Sequence, residues 1–145
     1  MEEVVHACGH EHVSAEHAST FEVTSDDWLT PAGDCILAVE ADRVPADFDP
    51  AFVAACRDPE ATITASITVT TADGDTYVET VTGRGDPDLS FENDRSHVGR
   101  TSAYVDDRTV LVGADAAAAD FDRELVAALA DGADLRLELE VEAAD

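Results

Sequence analysis

The sequence has 145 residues, and 33 acidic against 8 basic residues give it a formal net charge of -25. All of the basic residues are arginine, and lysine is absent. Because the acidic residues are spread between periodic apolar positions, they predict the solvated surface of a folded halophilic protein rather than a disordered tail. This balance excludes a broad basic nucleic-acid interface, but a few arginines could still contact RNA.

The cysteines and the apolar segments indicate the compartment. Three cysteines, Cys8, Cys35 and Cys56, are too few and too far apart for a disulfide framework, which favours a reducing compartment. Glu2 and Glu3 begin the chain without an apolar segment, so we expect no signal peptide. No run approaches the ~18 apolar residues of a membrane span. The prediction is a cytoplasmic protein with no membrane association and no disulfides.

The first half contains a recognisable series of elements. Residues 4–8 and 20–24 alternate as strands, and a loop with Pro31 and Gly33 leads into a strand over 35–41. Asp49 followed by Pro50 predicts the start of a short helix that ends near residue 57. Residues 61–70 form the clearest strand, with apolar and hydroxyl side chains on opposite faces.

The second half follows in the same order. A turn over 72–75 with Gly74 joins a return strand over 76–82. A polar stretch over 85–100 precedes a strand over 108–114 and a helix over 122–131, with Gly132 past its end. Residues 134–142 alternate as a final strand with acidic residues on the outer face.

An internal repeat organises the chain. The segment Ala46-Asp47-Phe48-Asp49 recurs as Ala119-Asp120-Phe121-Asp122 between similar strands and helices. We therefore predict a single domain over residues 1–145 with an internal repeat of residues 1–70 and 76–142. Its expected fold is mainly β: an antiparallel β-sandwich or barrel of two pseudo-symmetric ββ(β)αβ halves with two short helices.

Histidines near the start of the chain suggest a metal site. His6, Cys8, His10 and His12 are spaced by two, so an extended strand would put them on one face, with His17 as a further ligand. The alternative is a solvated, histidine-rich strand end, because Gly9 interrupts the strand and no standard zinc motif is present.

Cys35 suggests a second kind of chemistry. It lies where a loop enters a strand, and His10 or His17 could lower the pKa of its thiol and act as a base. The alternative is a small buried cysteine with a packing role, which is how we interpret Cys8 and Cys56.

A binding site without chemistry is the third possibility. Thr20, Glu22 and Thr24 share a strand face, with Asp34 and His17 nearby in sequence. The second half supplies a matching polar set, so both sets could line one pocket between the halves. That set is Asn93, Asp94, Arg95 and Arg108. A polar loop network is the alternative, and Trp28, the single tryptophan, is expected in the core.

These residues also resemble an archaeal family known as domain of unknown function 371, in a haloarchaeal-type acidic form. The resemblance covers nearly the whole chain and implies a mainly β single domain, but it implies no activity. It does not extend to His6, Cys8 or His12, so it leaves the metal hypothesis to His10, His17 and Cys35. The matching residues are Gly9-His10, Val13, Ala15, His17, Thr20, Glu22, Thr24, Leu29-Thr30, Gly33-Asp34-Cys35, Ala41-Asp42, Asp94-Arg95-Ser96 and Arg108-Thr109.

We therefore predict a binding module for a small molecule or for a protein or RNA partner, with an unknown cofactor requirement. The alternative is an enzyme that depends on a metal or on Cys35 with a histidine. His10 and His17 are the expected metal ligands. The expected ligand-binding residues are His10, His17, Glu22, Asp34, Cys35, Asp94, Arg95 and Arg108.

Overall fold

The computed structural model describes residues 1–144 and contains two four-stranded sheets and two short α-helices. One sheet has the strand order β1-β8-β4-β5 and the other has the order β3-β2-β6-β7. The strands are β1 (Glu2–Cys8), β2 (Thr20–Thr24), β3 (Ile36–Ala38), β4 (Thr62–Thr70), β5 (Thr76–Arg84), β6 (Ser96–Arg100), β7 (Thr109–Leu111) and β8 (Asp134–Glu142).

The β1-β8-β4-β5 sheet is antiparallel throughout. Its central strands β4 and β8 alternate between buried apolar and half-buried polar residues, so one face packs into the core. The β4–β5 hairpin turns at Gly74, whose positive φ of 90° is accessible to glycine at no steric cost. These strands confirm the predicted elements at residues 61–70, 76–82 and 134–142.

The β3-β2-β6-β7 sheet is mixed, so the prediction of antiparallel pairing is wrong for two of its pairs. Strands β2 and β6 are antiparallel, but β2–β3 and β6–β7 are parallel. In each parallel pair the chain returns in the same direction through a loop, over residues 25–35 and 101–108. Across residues 1–144 the strands form two separate sheets. The sequence was compatible with a sandwich or a closed barrel, and no closed barrel is formed.

The helices begin where the sequence predicts. Helix α1 (Pro50–Cys56) and helix α2 (Arg123–Ala130) are each preceded by an aspartate whose side chain accepts a hydrogen bond from the helix backbone. A short 3₁₀ turn precedes each of them, at Pro45–Asp47 and Ala118–Asp120. Both helices contact the antiparallel sheet, and α2 also contacts β3, so they help to close one continuous apolar core.

All three cysteines are free thiols. Cys56 is fully buried on α1, in agreement with a packing role. Within residues 1–144 we find no helix that is both long and apolar enough to cross a membrane.

Candidate functional site

The polar face of β2 carries the centre of the candidate site. Phe21 and Val23 point into the core, so Glu22 projects from the opposite face. Its carboxylate oxygen Oε1 lies 3.6 Å from the Sγ atom of Cys35 and 4.0 Å from a guanidinium nitrogen of Arg108. The first-half residues Glu22 and Cys35 therefore meet the second-half residue Arg108 on one sheet face.

Arg108 is held in place by Asp106. The Asp106 carboxylate accepts hydrogen bonds from Arg108 at 3.1 Å, from Arg100 at 2.9 Å and from the Thr109 hydroxyl at 3.1 Å. Burial raises the pKa of Asp106, but the hydrogen bonds from Arg108 and Thr109 and the charge of Arg100 outweigh that effect and hold it at about 2. The carboxylate is thus charged at neutral pH and fixes the orientation of Arg108.

The Cys35 thiol lies in an environment that opposes ionisation. Burial, followed by the charge of Glu22 and its hydrogen bond, raises the pKa of Cys35 to about 11. A nucleophilic cysteine requires a lowered pKa and an adjacent base. Neither His10 nor His17 hydrogen-bonds to Cys35 within the described part of the chain. This geometry gives no support to a Cys/His catalytic pair.

A cavity of about 420 Å³, here called the sheet-face cavity, lies beside this group. Four of the eight predicted ligand-binding residues line it, and Cys35 contacts one of them. The side chain of Arg95 lies 3.7 Å from the carboxylate of Asp26 at its edge. Its walls are Glu22, Asp26, Trp28, Ile36, Asn93, Asp94, Arg95, Ser96 and Arg108.

Trp28 is a wall of this cavity and not a core residue. It is 59% exposed, so the expectation of a buried tryptophan is wrong. The buried apolar residue of this loop is Leu29. The acidic neighbours Asp26 and Asp27 are the signal in the sequence that this part of the loop faces solvent.

The two histidines of the family motif support turns through their Nδ1 atoms. His10 Nδ1 accepts the backbone N–H of His12 at 3.0 Å. His17 Nδ1 accepts the N–H groups of Ser19 and Thr20 at 3.3 and 3.1 Å. A ring nitrogen that accepts such bonds carries no proton, so the neutral ring holds its proton on Nε2.

Corresponding turns in the second half use an aspartate and an asparagine. Asp86 Oδ1 accepts the N–H of Asp88 at 2.9 Å, as His10 does for His12. Asn93 Oδ1 accepts the N–H groups of Arg95 and Ser96 at 2.8 and 2.7 Å. The histidines therefore accept the same local backbone hydrogen bonds as Asp86 and Asn93 do in the second half.

The remaining predicted residue, Asp34, acts through its backbone. Its carbonyl accepts the N–H groups of Glu16 and His17 at 2.9 and 3.2 Å, which ties the first loop to the entry of β3. Asp34, His10 and His17 do not line the sheet-face cavity.

No group of three metal-ligand atoms within residues 1–144 includes His10 or His17, so the metal site stays a prediction. Among the described residues, one group brings three metal-ligand atoms within 4.8 Å of one another. It consists of acidic side chains of β1 and β8 and contains no histidine. Its members are Glu2, Glu138 and Glu140.

The fold and the cavity define a mainly β protein with two sheets and a polar cavity on one sheet face. The family model described as Domain of unknown function (DUF371) matches residues 5–142. An uncharacterized protein of Methanocaldococcus jannaschii, MJ0206, is 34% identical over 135 residues, which span 93% of this chain and 96% of that protein. The chain belongs to the DUF371 family.

Proposed function

We propose that this protein is a binding module whose ligand occupies the sheet-face cavity. The observation that carries the proposal is that two segments far apart in sequence, around Glu22–Ile36 and Asn93–Arg108, line one cavity. Its volume of about 420 Å³ is within the range typical of sites for small molecules.

The walls suggest the chemistry of the ligand. Arg95 and Arg108 offer guanidinium donors, which suit an anionic group, and each is also paired with a carboxylate. The exposed indole of Trp28 offers an apolar face on which a planar ring can stack. We therefore propose a small ligand that combines a planar ring with an anionic group.

The proposal also includes the symmetry of the fold and the cellular environment of the protein. Both halves have the same order of elements, and many of their hydrogen bonds recur, which favours a duplicated unit arranged with pseudo-twofold symmetry as a sandwich. One example is the N–H of Asp49 bonding to Glu3, which recurs as the N–H of Asp122 bonding to Glu79. The net charge of -25 and the three free thiols favour a halophilic, cytoplasmic, single-domain protein.

An enzyme that uses a metal or Cys35 is the other candidate from the sequence. The raised pKa of Cys35 and the occupied Nδ1 atoms of His10 and His17 make it the weaker one. A protein or RNA partner at the cavity would need to present the same combination of a ring and an anion.

Tryptophan fluorescence tests the proposal, because Trp28 is the single tryptophan and lies in the cavity wall. Titration with two aromatic anions, adenosine monophosphate and nicotinate, at high potassium chloride should give a saturable change with at least one of them. Arg108→Gln should abolish it, whereas the matched change Arg136→Gln on β8 should not. The absence of a saturable signal with both anions would contradict the proposed ligand class.

A further inference from the structure

Arg123, the first residue of α2, is bound by four backbone carbonyls. Its Nε donates to Phe121 at 3.0 Å, and its Nη2 donates to Ala118 at 2.9 Å. Its Nη1 donates to Ala15 at 3.2 Å and to Ser14 at 3.3 Å. Two separate segments therefore direct their carbonyls at one guanidinium, which has five N–H donors and no acceptor.

The first half repeats this backbone with proline in place of arginine. Pro50 begins α1 as Arg123 begins α2. The loop residue Phe91 has a φ of 52°, and Ala15 has a φ of 49°, so both loops turn through the same left-handed conformation. By this correspondence the counterparts of the four carbonyls belong to Ser90, Phe91, Pro45 and Phe48.

A cavity of about 310 Å³, here called the arginine socket, is lined by Pro50 and by all four of these counterpart residues. The carbonyls of Ser90, Phe91 and Phe48 accept no hydrogen bond from other residues of the described chain. That of Pro45 accepts one, from the N–H of Phe48 at 3.1 Å. The walls used in this argument are Pro45, Phe48, Pro50, Val53, Ser90 and Phe91.

We propose that the arginine socket binds an arginine side chain presented by a partner protein. The carbonyls are arranged as those that hold Arg123, and the walls offer apolar surface for the methylene stem of an arginine. Arginine is the proposed occupant because four backbone carbonyls already bind the guanidinium of Arg123 in the second half. This inference rests on the proposed correspondence of the two halves and is independent of any ligand in the sheet-face cavity.

Arg57 is the one basic residue at the edge of the arginine socket. Its Nε donates to the carbonyl of Pro87 at 3.1 Å, which directs the side chain to the neighbouring loop. Arg57 makes no hydrogen bond to the carbonyls of Ser90 and Phe91 in the described chain, so these carbonyls stay available to a partner.

Nuclear magnetic resonance titration tests the proposal with two short peptides that differ in a single residue. The probes are acetyl-Gly-Arg-Gly-amide and acetyl-Gly-Lys-Gly-amide, added at constant high salt. We expect saturable carbonyl and amide shifts in residues 45–57 and 88–92, and about tenfold weaker binding of the lysine peptide, because an ammonium cannot reach several fixed carbonyls in a fork. Equal affinities for the two peptides, or no saturable shifts, would overturn the proposal.

Two substitutions at Pro50 sharpen the test. Pro50→Arg should place a guanidinium among the carbonyls, as Arg123 does in the second half, and should abolish binding of the arginine peptide. Pro50→Ala, which removes the ring without filling the cavity, should retain binding. Unchanged binding to a folded Pro50→Arg protein would refute the assignment. The same shifts appearing on raising protein concentration alone would show a second copy as the occupant and would also refute it.

Discussion

Acid should destabilise this protein through one buried histidine, His97. The side chain is 1% exposed, stacks on Phe48 with ring centroids 5.3 Å apart, and places Nε2 at 2.9 Å from the carbonyl oxygen of Arg43. The neutral ring donates from Nε2, and Nδ1 is buried without a hydrogen-bond partner among the described residues. Burial lowers the pKa of His97, and this effect outweighs the hydrogen bond to Arg43 and the charges of Asp47 and Asp42, which raise it.

The sign of the effect follows from proton binding. The unfolded chain binds a proton at His97 below its ordinary pKa of 6.5, whereas the folded chain does so only at lower pH. Stability is therefore fully present above pH 6.5 and is lost as the pH falls toward the folded pKa. The loss at pH 5.5 has an upper limit of about 1.4 kcal/mol, which is the free energy of protonating an unfolded ring of pKa 6.5 at that pH.

Urea unfolding at pH 7.5, 6.5 and 5.5 measures this loss against the variant His97→Phe. Phenylalanine is a suitable replacement because Phe21 is the corresponding residue of β2 and packs on Phe121 as His97 packs on Phe48. The carboxylates titrate in both proteins, so the difference in unfolding free energy isolates His97. A difference between wild type and His97→Phe that does not vary with pH would refute the argument.

Three further predictions concern the loops and the thiol of the site. Alkylation of Cys35, followed by peptide mass spectrometry, should still accelerate beyond pH 10 because burial and Glu22 raise its pKa; a rate that levels off near pH 8 would contradict this. His17→Ala should lower the unfolding free energy by about 1 kcal/mol, whereas His17→Asn should be nearly neutral because Asn93 does the same work. Gly9→Ala should cost at least ~2 kcal/mol in urea unfolding, because the new Cβ would lie 1.9 Å from the carbonyl oxygen of Leu129; a neutral effect would show that the loop can shift.

The elements that could be predicted from the sequence are those whose hydrophobic pattern or capping residues match the environment of the element in the fold. Strand β4 alternates strictly and lies at the centre of a sheet with one buried face, so its pattern reports its environment directly. Helix α1 begins at an aspartate followed by proline, a signal that depends on nearest neighbours alone. The internal repeat stays a prediction; the Ala-Asp-Phe-Asp segments that suggest it lie immediately before each of the two helices.

The elements that were not predicted depend on contacts distant in sequence. Strand β6 contains Ser96, His97 and Gly99, which are poor strand formers, and it is a strand because it pairs with β2. Gly99 is required there by its neighbour, since a Cβ would lie 2.3 Å from the ring of Phe21. The parallel pairing of β2 with β3 likewise depends on the path of a loop, which periodicity does not encode.

Comparison of the two halves favours a structural role for His10 and His17. Residues that differ between two copies suggest specialisation, yet His10 and Asp86 accept equivalent backbone hydrogen bonds, and so do His17 and Asn93. These differences preserve the turns and need no ligand to explain them.

Two differences between the halves change the chemical groups that line a cavity. Cys35 and Arg108 occupy corresponding positions, and both approach Glu22, but one offers a neutral thiol and the other a cation for a ligand. Pro50 and Arg123 begin corresponding helices, but the residues that correspond to those binding Arg123 line a cavity beside Pro50. Function is therefore best sought where one half of the chain leaves unbonded the backbone groups whose counterparts in the other half are hydrogen-bonded internally.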